Sequence, residues 1–313
     1  MLRPRGVDGE LLLIGVGRDL VTSVDGDAAV VDAGSFEATV DYADAQRVVA
    51  LASTPAVAGL DQLIGRSAST GFRAALDEVV AGEDLVGGPL YQLLDDLPVA
   101  TLVSGYSPQQ AMAARGSWRD ASARRTQRRA PEGLELIQQA DLCAGWKAGG
   151  TIMLGMAEGV PPVVTGPDAP ALDRSDDPWA WHEIPGELPA LGMRRRRRID
   201  VVPAPDDATV LVDAHFRDSH MDDEGAETIV HEYVVGVVLD GHDLRVLESS
   251  ATPRVLPWFE CPEAAGSAER LVGRPLGGLR ASVRAEFLGV STCTHLNDAL
   301  RALEDVPALV RHL

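Results

Sequence analysis

The chain of 313 residues has almost no lysine: Lys147 is the single one, and arginine supplies the remaining positive charge. The formal net charge is −19, so the chain lacks the basic surface that binding to phosphate backbones requires. Nucleic acid is therefore excluded as the main partner. The lysine-poor composition, rich in Ala, Gly, Val and Asp, is typical of a GC-rich bacterial genome and carries no chemistry.

Long apolar runs are also lacking. No run approaches the roughly 18 residues that a membrane helix needs, and residues 11–16 are too short for the core of a signal peptide. Three cysteines, an odd number, argue against a disulfide framework. We therefore expect a cytoplasmic protein with reduced thiols and no membrane partner. Gly-rich phosphate loops and Gly-x-Ser-x-Gly elbows are missing from the sequence, which leaves nucleotide binding and serine hydrolysis without support.

The two ends of the chain resemble each other. Leu63-Ile64-Gly65-Arg66 and Gly71-Phe72-Arg73-Ala74 have counterparts in Leu271-Val272-Gly273-Arg274 and Gly278-Leu279-Arg280-Ala281, in the same order and at similar spacing. Because the matches include Gly and Arg in register, they indicate an internal repeat. The length of the chain also allows for two domains.

The two predicted copies differ in chemistry. Cys293-Thr294-His295-Leu296 falls opposite Gly87-Gly88-Pro89-Leu90, and residues 1–100 contain neither histidine nor cysteine. The sequence thus predicts three segments: a degenerate N-terminal repeat (1–103), a helical and loop-rich connector (104–193), and a C-terminal repeat that carries the site (194–313).

Each copy is predicted to be a small antiparallel sheet followed by packed helices, an α+β fold. In residues 209–216 apolar and polar residues alternate, which predicts a strand with one face in the core. Residues 229–239 and 244–247 continue the meander, and Asp240-Gly241 between them is a hairpin-turn signal.

Helices are predicted after this meander and inside the connector. Leu279, Val283 and Phe287 form one apolar stripe. A second stripe holds Leu296, Leu300 and Leu303, and the sequence Asp305-Val306-Pro307 should end that helix. In the connector, residues 109–129 and 134–146 are predicted to be helical.

Thiol and imidazole groups near the C-terminus point to a metal site. Cys293 and His295 are two residues apart, and Cys261 lies about thirty residues earlier. Thiolate and imidazole are ligands of zinc, and iron accepts them too. Zinc is the metal that we expect first. A fourth ligand would come from the strands, where the sequence leaves open His231, Glu232, Asp218, His215 and His220. The favoured metal set is Cys261, Cys293, His295 and His231.

Such an ion would polarise a carbonyl or activate a bound water. The sequence therefore favours a metal-dependent hydrolase, hydratase or lyase that acts on a small carbonyl or carboxylate metabolite. Candidate catalytic residues are Glu232, Asp298, Asp218 and His215, with a carboxylate as general base. Arg217 and Arg254 are candidates for binding a substrate anion. The alternatives are a non-catalytic metal or iron–sulfur carrier and a structural zinc in a partner-binding protein. Homo-oligomerisation is left open.

Three further residue groups have competing interpretations. Cys293 near a helix start with His295 could form a thiolate nucleophile. A Cys-x-His spacing inside one helix does not point the two side chains at each other, which argues against this pair. Cys143 has no visible partner and is expected to fill core space. The run Arg194–Arg198 is expected to be a solvated strand entry, with a local anion site as the alternative.

The C-terminal third resembles the bacterial family known as domain of unknown function 2889. The resemblance is carried by the basic run into Ile199-Asp200-Val201, by His215-Phe216-Arg217-Asp218, by Leu271-Val272-Gly273-Arg274 and by Gly289 through Leu296. More loosely, the region is similar to the iron–sulfur cluster scaffold (NifU-like) family, with Cys261 at the middle cysteine and Cys293 with His295 at the last pair. This second resemblance implies an α+β fold and zinc or iron binding, although the first scaffold cysteine is missing.

Overall fold

The computed structural model describes residues 1–81, 85–118, 140–173, 175–182, 187–205 and 208–313. In these ranges the chain mixes helices with two antiparallel sheets, one of three strands and one of four. The mixture of helix and antiparallel sheet that the sequence predicts is confirmed.

The first sheet is a meander of β1 (Leu11–Thr22), β2 (Ala28–Asp41) and β3 (Arg47–Thr54). Apolar residues at alternate positions, such as Leu11 and Leu13, point to one face and are buried there. This face packs against α1 (Phe72–Val79) and α2 (Pro89–Val103), and α3 (Tyr106–Ala114) follows.

The connector is only partly helical where it is described. Residues 119–139 lie outside the described residues, so half of the two helices predicted at 109–129 and 134–146 is not described. A short 3-10 helix occupies Ala144–Trp146, and α4 spans Thr151–Ala157.

The second sheet has the order β4 (Met193–Pro203), β5 (Thr209–Met221), β6 (Glu227–Asp240) and β7 (Val246–Val255). The strands are longer than the sequence pattern indicated, and the arginine run lies inside β4. On β5 the predicted inward residues Val210, Val212, Ala214 and Phe216 are all buried. The hairpin predicted at Asp240 is present, with the Asp240 carboxylate accepting hydrogen bonds from the turn.

Helices cover the inner face of the second sheet. A run of 3-10 turns (Cys261–Leu271) precedes α5 (Leu279–Glu286), and α6 (Thr294–Ala302) carries the second apolar stripe. After a further 3-10 turn, α7 (Val306–Val310) begins. α6 thus ends at Ala302, before the predicted break, and Pro307 lies in the first turn of the next helix, where proline is tolerated. Within the described ranges, no helix has both the length and the apolar character that crossing a bilayer requires.

Backbone contacts join the two sheets and pair a further segment with the edge of the second. Met193 N donates to Met1 O at 2.9 Å, and Leu2 forms a bridge to Leu12 of β1. The segment 165–170, called the strap here, pairs with the first residues of β6: Ala169 N donates to Glu227 O at 2.7 Å. Gly166 is required in the strap because a Cβ there would collide with the Ile229 carbonyl.

Candidate metal centre

Three donor groups meet on the inner face of the second sheet, where α6 begins. Asp218 of β5 lies opposite His231 of β6 in the strand register, and His295 comes from the first turn of α6. One donor atom from each of these residues lies within 4.8 Å of the other two. His231 Nδ1 is 3.7 Å from Asp218 Oδ2, and this nitrogen is buried with no hydrogen-bond partner.

The two histidine rings are stacked and uncharged. Their centroids are 3.6 Å apart, with 22° between the ring planes. Burial, with Arg195 nearby, lowers the pKa of His295 to about 3. Burial and the neighbouring His295 also lower the pKa of His231 well below its usual value. Both imidazoles are therefore neutral at physiological pH, the form that binds metals.

Cys293 directly contacts His295. Cys293 Sγ lies 3.8 Å from His295 Nδ1. The prediction that this spacing keeps the two side chains apart is wrong, because Cys293 precedes α6 in extended backbone (φ −131°) rather than lying inside the helix. Burial raises the pKa of the Cys293 thiol to about 11, although backbone N–H groups at the start of the helix oppose this. Thiol and neutral imidazole, rather than a thiolate–imidazolium pair, are thus the resting forms.

The other two cysteines lie in the same region. Cys261 begins the run of 3-10 turns and is buried. Burial raises the pKa of its thiol to about 12, and the nearby thiols of Cys293 and Cys143 add to the increase. Tyr233 of β6 lies near these thiols and is fully buried. Burial and the Cys293 thiol raise the pKa of Tyr233.

Three further candidates lie on the opposite face of the sheet: His215, Arg217 and Glu232. His215 Nε2 is 2.9 Å from Glu232 Oε1, and Arg217 Nε donates to Glu232 Oε2 at 2.9 Å. The last residue of the strap contacts these side chains: Arg217 also donates a hydrogen bond to Pro170 O at 2.6 Å. Burial raises the pKa of Glu232, but the hydrogen bonds from His215 and Arg217 outweigh it and lower the value. Side chains alternate along strands, so this group faces away from Asp218 and His231.

Asp298 is held in a network of arginines. Arg73 donates to its Oδ1 at 2.9 Å, while Arg195 and Arg197 donate to its Oδ2 at 2.7 and 2.6 Å. Burial disfavours ionisation of Asp298, but the guanidinium groups of Arg197, Arg195 and Arg73 outweigh it and lower the pKa. The Asp298 carboxylate thus has a structural role. Arg195 connects it to the three donor groups, because Arg195 also donates two hydrogen bonds to Asp218.

The arginine run of β4 is not a solvated strand entry, and that expectation is wrong. Arg195 and Arg197 point inward, and Arg197 also binds Asp96 of α2 at 2.9 Å. On the outer face Arg194 pairs with Glu227 and Arg198 with Asp177 and Asp200. Alternate arginines of the run thus point to opposite faces of β4, and each face has its own carboxylate partners.

The structure thus brings together only some of the predicted residues. Asp218, His231, His295 and Cys293 share one region, with Cys261 close by. Arg254 is exposed at the bulge between β6 and β7, and His220 packs edge-on against Tyr106. Cys143 and Arg195 had no part in the site predicted from the sequence. Alternation along β4 was the one signal that could have placed Arg195 on the inner face.

The fold and the site define an α+β unit with a buried polar centre formed by two strands and the start of a helix. A model of the family described as "Protein of unknown function (DUF2889)" matches residues 193–309, in agreement with the resemblance seen in the sequence. No curated protein and no solved structure matched this chain, and the similarity to iron–sulfur scaffolds finds no support.

Proposed function

We propose that the C-terminal unit binds a divalent transition-metal ion through Asp218, His231 and His295. The observation that carries this proposal is the convergence of their donor atoms within 4.8 Å of one another. A second observation supports it: His231 Nδ1 is buried without a hydrogen-bond partner. An unpaired polar atom in the interior is unfavourable, and a bound cation would remove that penalty.

The distances suit a small metal ion after modest adjustment. His231 Nδ1 and Asp218 Oδ2 are 3.7 Å apart. An ion about 2.0–2.1 Å from each atom would see them at an angle of about 130°, within reach of a distorted tetrahedron. Donors at the 4.8 Å limit must approach, because two zinc ligands lie at most about 4.2 Å apart. The stacked rings must also rotate, so that both lone pairs point at one ion.

Asp218 can serve as a ligand while it stays bound to Arg195. Arg195 donates one hydrogen bond to each carboxylate oxygen of Asp218. Each oxygen has about two acceptor positions, so one on each remains for a cation. Arg195 would then orient the ligand, as partners of metal-bound carboxylates commonly do.

A ligand set of two imidazoles and one carboxylate resembles that of catalytic rather than structural zinc sites. Three protein ligands leave one position for water, which supports Lewis-acid or metal-hydroxide chemistry on a small carbonyl or carboxylate substrate. The hydrolase, hydratase or lyase hypothesis remains the proposal for the reaction. Neither Glu232 nor Asp298 suits the role of its general base, since the first lies on the other face and the second is bound by three arginines.

A structural or carrier site is the second candidate, and one observation favours it. Cys293 Sγ contacts His295 at 3.8 Å and could fill the fourth position, which would close the site. The complete burial of Asp218 is consistent with a closed site.

Metal content separates these proposals. We expect His231→Gln and His295→Gln each to hold less metal than the purified full-length protein. His242→Gln, in the exposed β6–β7 turn, is the matched control and should keep the ion. Added zinc should raise the melting temperature of the parent and the control more than that of the two variants. Equal metal content in all four proteins would contradict the proposal. A coordinated water would favour catalysis, and four protein ligands a closed site.

We also propose that the two sheet-and-helix units are copies of one ancestral unit. In the first, Val48 exchanges backbone hydrogen bonds with Gly65 and Arg66, and in the second Val246 does so with Gly273 and Arg274. Gly71 (φ 76°) and Gly278 (φ 82°) directly precede the eight-residue helices α1 and α5. An experimental structure in which the two units fail to superpose over these elements would contradict this origin.

A further inference from the structure

All of the chain's cysteines come from irregular segments that are packed against one another. Ala144 N, next to Cys143, donates to the carbonyl of Thr292, next to Cys293, at 2.9 Å. A Cβ on Gly145 would lie 2.9 Å from Cys261 Sγ, so the Cys143 loop rests directly on the third cysteine. Three segments that are distant in sequence thus place their thiols in the same region of the core.

We infer that Cys143, Cys261 and Cys293 together bind a thiophilic metal ion of the zinc class, with His295 as the fourth donor. The inference goes beyond the proposed function, because it assigns a second, sulfur-based set of donors that uses neither Asp218 nor His231 and shares only His295 with the first set. Zinc and its relatives accept three thiolates and one imidazole in tetrahedral sites. Each thiol would give up its proton to solvent as it binds.

The contact between Cys293 and His295 already fits such an ion. Sulfur and nitrogen on one tetrahedral zinc are about 3.6 Å apart, given bonds of about 2.3 and 2.1 Å. Cys293 Sγ and His295 Nδ1 are 3.8 Å apart. This half of the site therefore needs almost no movement.

The other two sulfurs must move closer. Among the described residues, the three thiols do not form a group whose donors all lie within 4.8 Å, whereas Asp218, His231 and His295 do. Rotating a cysteine between two staggered χ1 positions moves its sulfur by about 3 Å. Such rotations, without backbone change, are the movement that closing the site requires. Cys143 is only half-buried, so its side chain has room to turn.

Cadmium is a suitable probe, because thiolate ligands give it an ultraviolet charge-transfer band whose strength reports how many thiolates bind. The reduced full-length protein is titrated with Cd²⁺ alone. We expect a band that corresponds to three thiolates per chain. Cys143→Ser should lose about one third of the band and bind Cd²⁺ at least about 10-fold more weakly. Cys143→Ala should behave in the same way, and melting curves would show that both variants remain folded.

Two further variants separate this inference from the proposed function. His231→Gln and Asp218→Asn should leave the cadmium–thiolate band unchanged, since neither residue is part of the sulfur set. If the parent shows no band, or if Cys143→Ser matches the parent, the three-thiol site is overturned. The site formed by Asp218, His231 and His295 would still be tested separately, by comparing the zinc content of His231→Gln with that of the parent.

Discussion

At the scale of single residues, neighbours in the sequence have opposite environments. Asp218 faces the buried centre, while the adjacent Arg217 faces the strap and binds Glu232. In the same way His231 stacks on His295, whereas Glu232 pairs with His215 on the other face. From the sequence, His231 was the favoured metal ligand and Glu232 a candidate catalytic residue beside it, although the residue type alone does not reveal which face of a strand a side chain occupies.

Asp19 illustrates a residue whose charge is unfavourable in the folded protein. It lies opposite Asp32 across β1 and β2. Burial, with the charges of Asp32 and Asp305, raises the pKa of Asp19 to about 6. The folded protein then holds a proton that the unfolded chain has lost, so this group reduces stability as the pH rises from about 4 through 6.

We therefore predict that Asp19→Asn stabilises the protein at pH 7.5, by about 1 kcal/mol once solvent screening is allowed for. This gain should disappear below about pH 3, where the carboxyl group is neutral in both states. Thermal melting at the two pH values tests the prediction. Asp25→Asn, in the exposed β1–β2 turn, should change little at either pH. A pH-independent effect of Asp19→Asn would contradict the argument.

At the scale of elements, β4 shows how one strand serves two surfaces. Arg195 and Arg197 enter the interior, and Arg194 and Arg198 pair with carboxylates on the outer face. A run of five arginines in an acidic chain resembles a solvated patch when only composition is considered. The alternation of a strand, together with carboxylates from α2, β5 and α6, gives the inward members a structural role instead.

We predict unequal effects for two adjacent arginines of β4. Arg197→Met should destabilise the protein by about 3–5 kcal/mol, because it leaves the carboxylates of Asp96 and Asp298 buried with less compensation. Arg196→Met should change stability by less than about 1 kcal/mol, because burial and the charges of Arg194 and Arg217 already disfavour the charged guanidinium there. Urea unfolding measures both, and similar losses would show that the inward network is not important.

At the scale of the whole molecule, charged groups connect the first and last predicted segments. Arg73 of α1 binds Asp298 of α6 at 2.9 Å, and Arg301 of α6 binds Asp95 of α2 at 2.8 Å. Arg197 adds a contact from β4 to Asp96. All these side chains are largely buried, so separating the two units would expose the network and leave charges unpaired on both sides.

We predict that the C-terminal unit is not stable alone. A fragment of residues 193–313 should unfold at a lower urea concentration than the full chain, and without a sharp transition. The full chain should unfold in a single step when monitored by both circular dichroism and tryptophan fluorescence. A fragment as stable as the full chain would show that the interface contributes little. The domain boundaries drawn from the sequence would then be folding boundaries as well.

The sequence by itself determined the class of fold, the inward positions of β5, the apolar stripes of α5 and α6, and the family resemblance of residues 193–309. The first three follow from the local spacing of apolar residues, which matches the repeat of a strand or a helix directly. The family resemblance follows from short stretches of sequence alone. Only the tertiary structure decided that Asp218 joins His231 and His295, that Cys143 lies near the other thiols, and that Asp298 is bound by arginines from two units. These contacts bridge segments that are distant in sequence, and they depend on strand register and helix packing, which no local pattern of residues encodes.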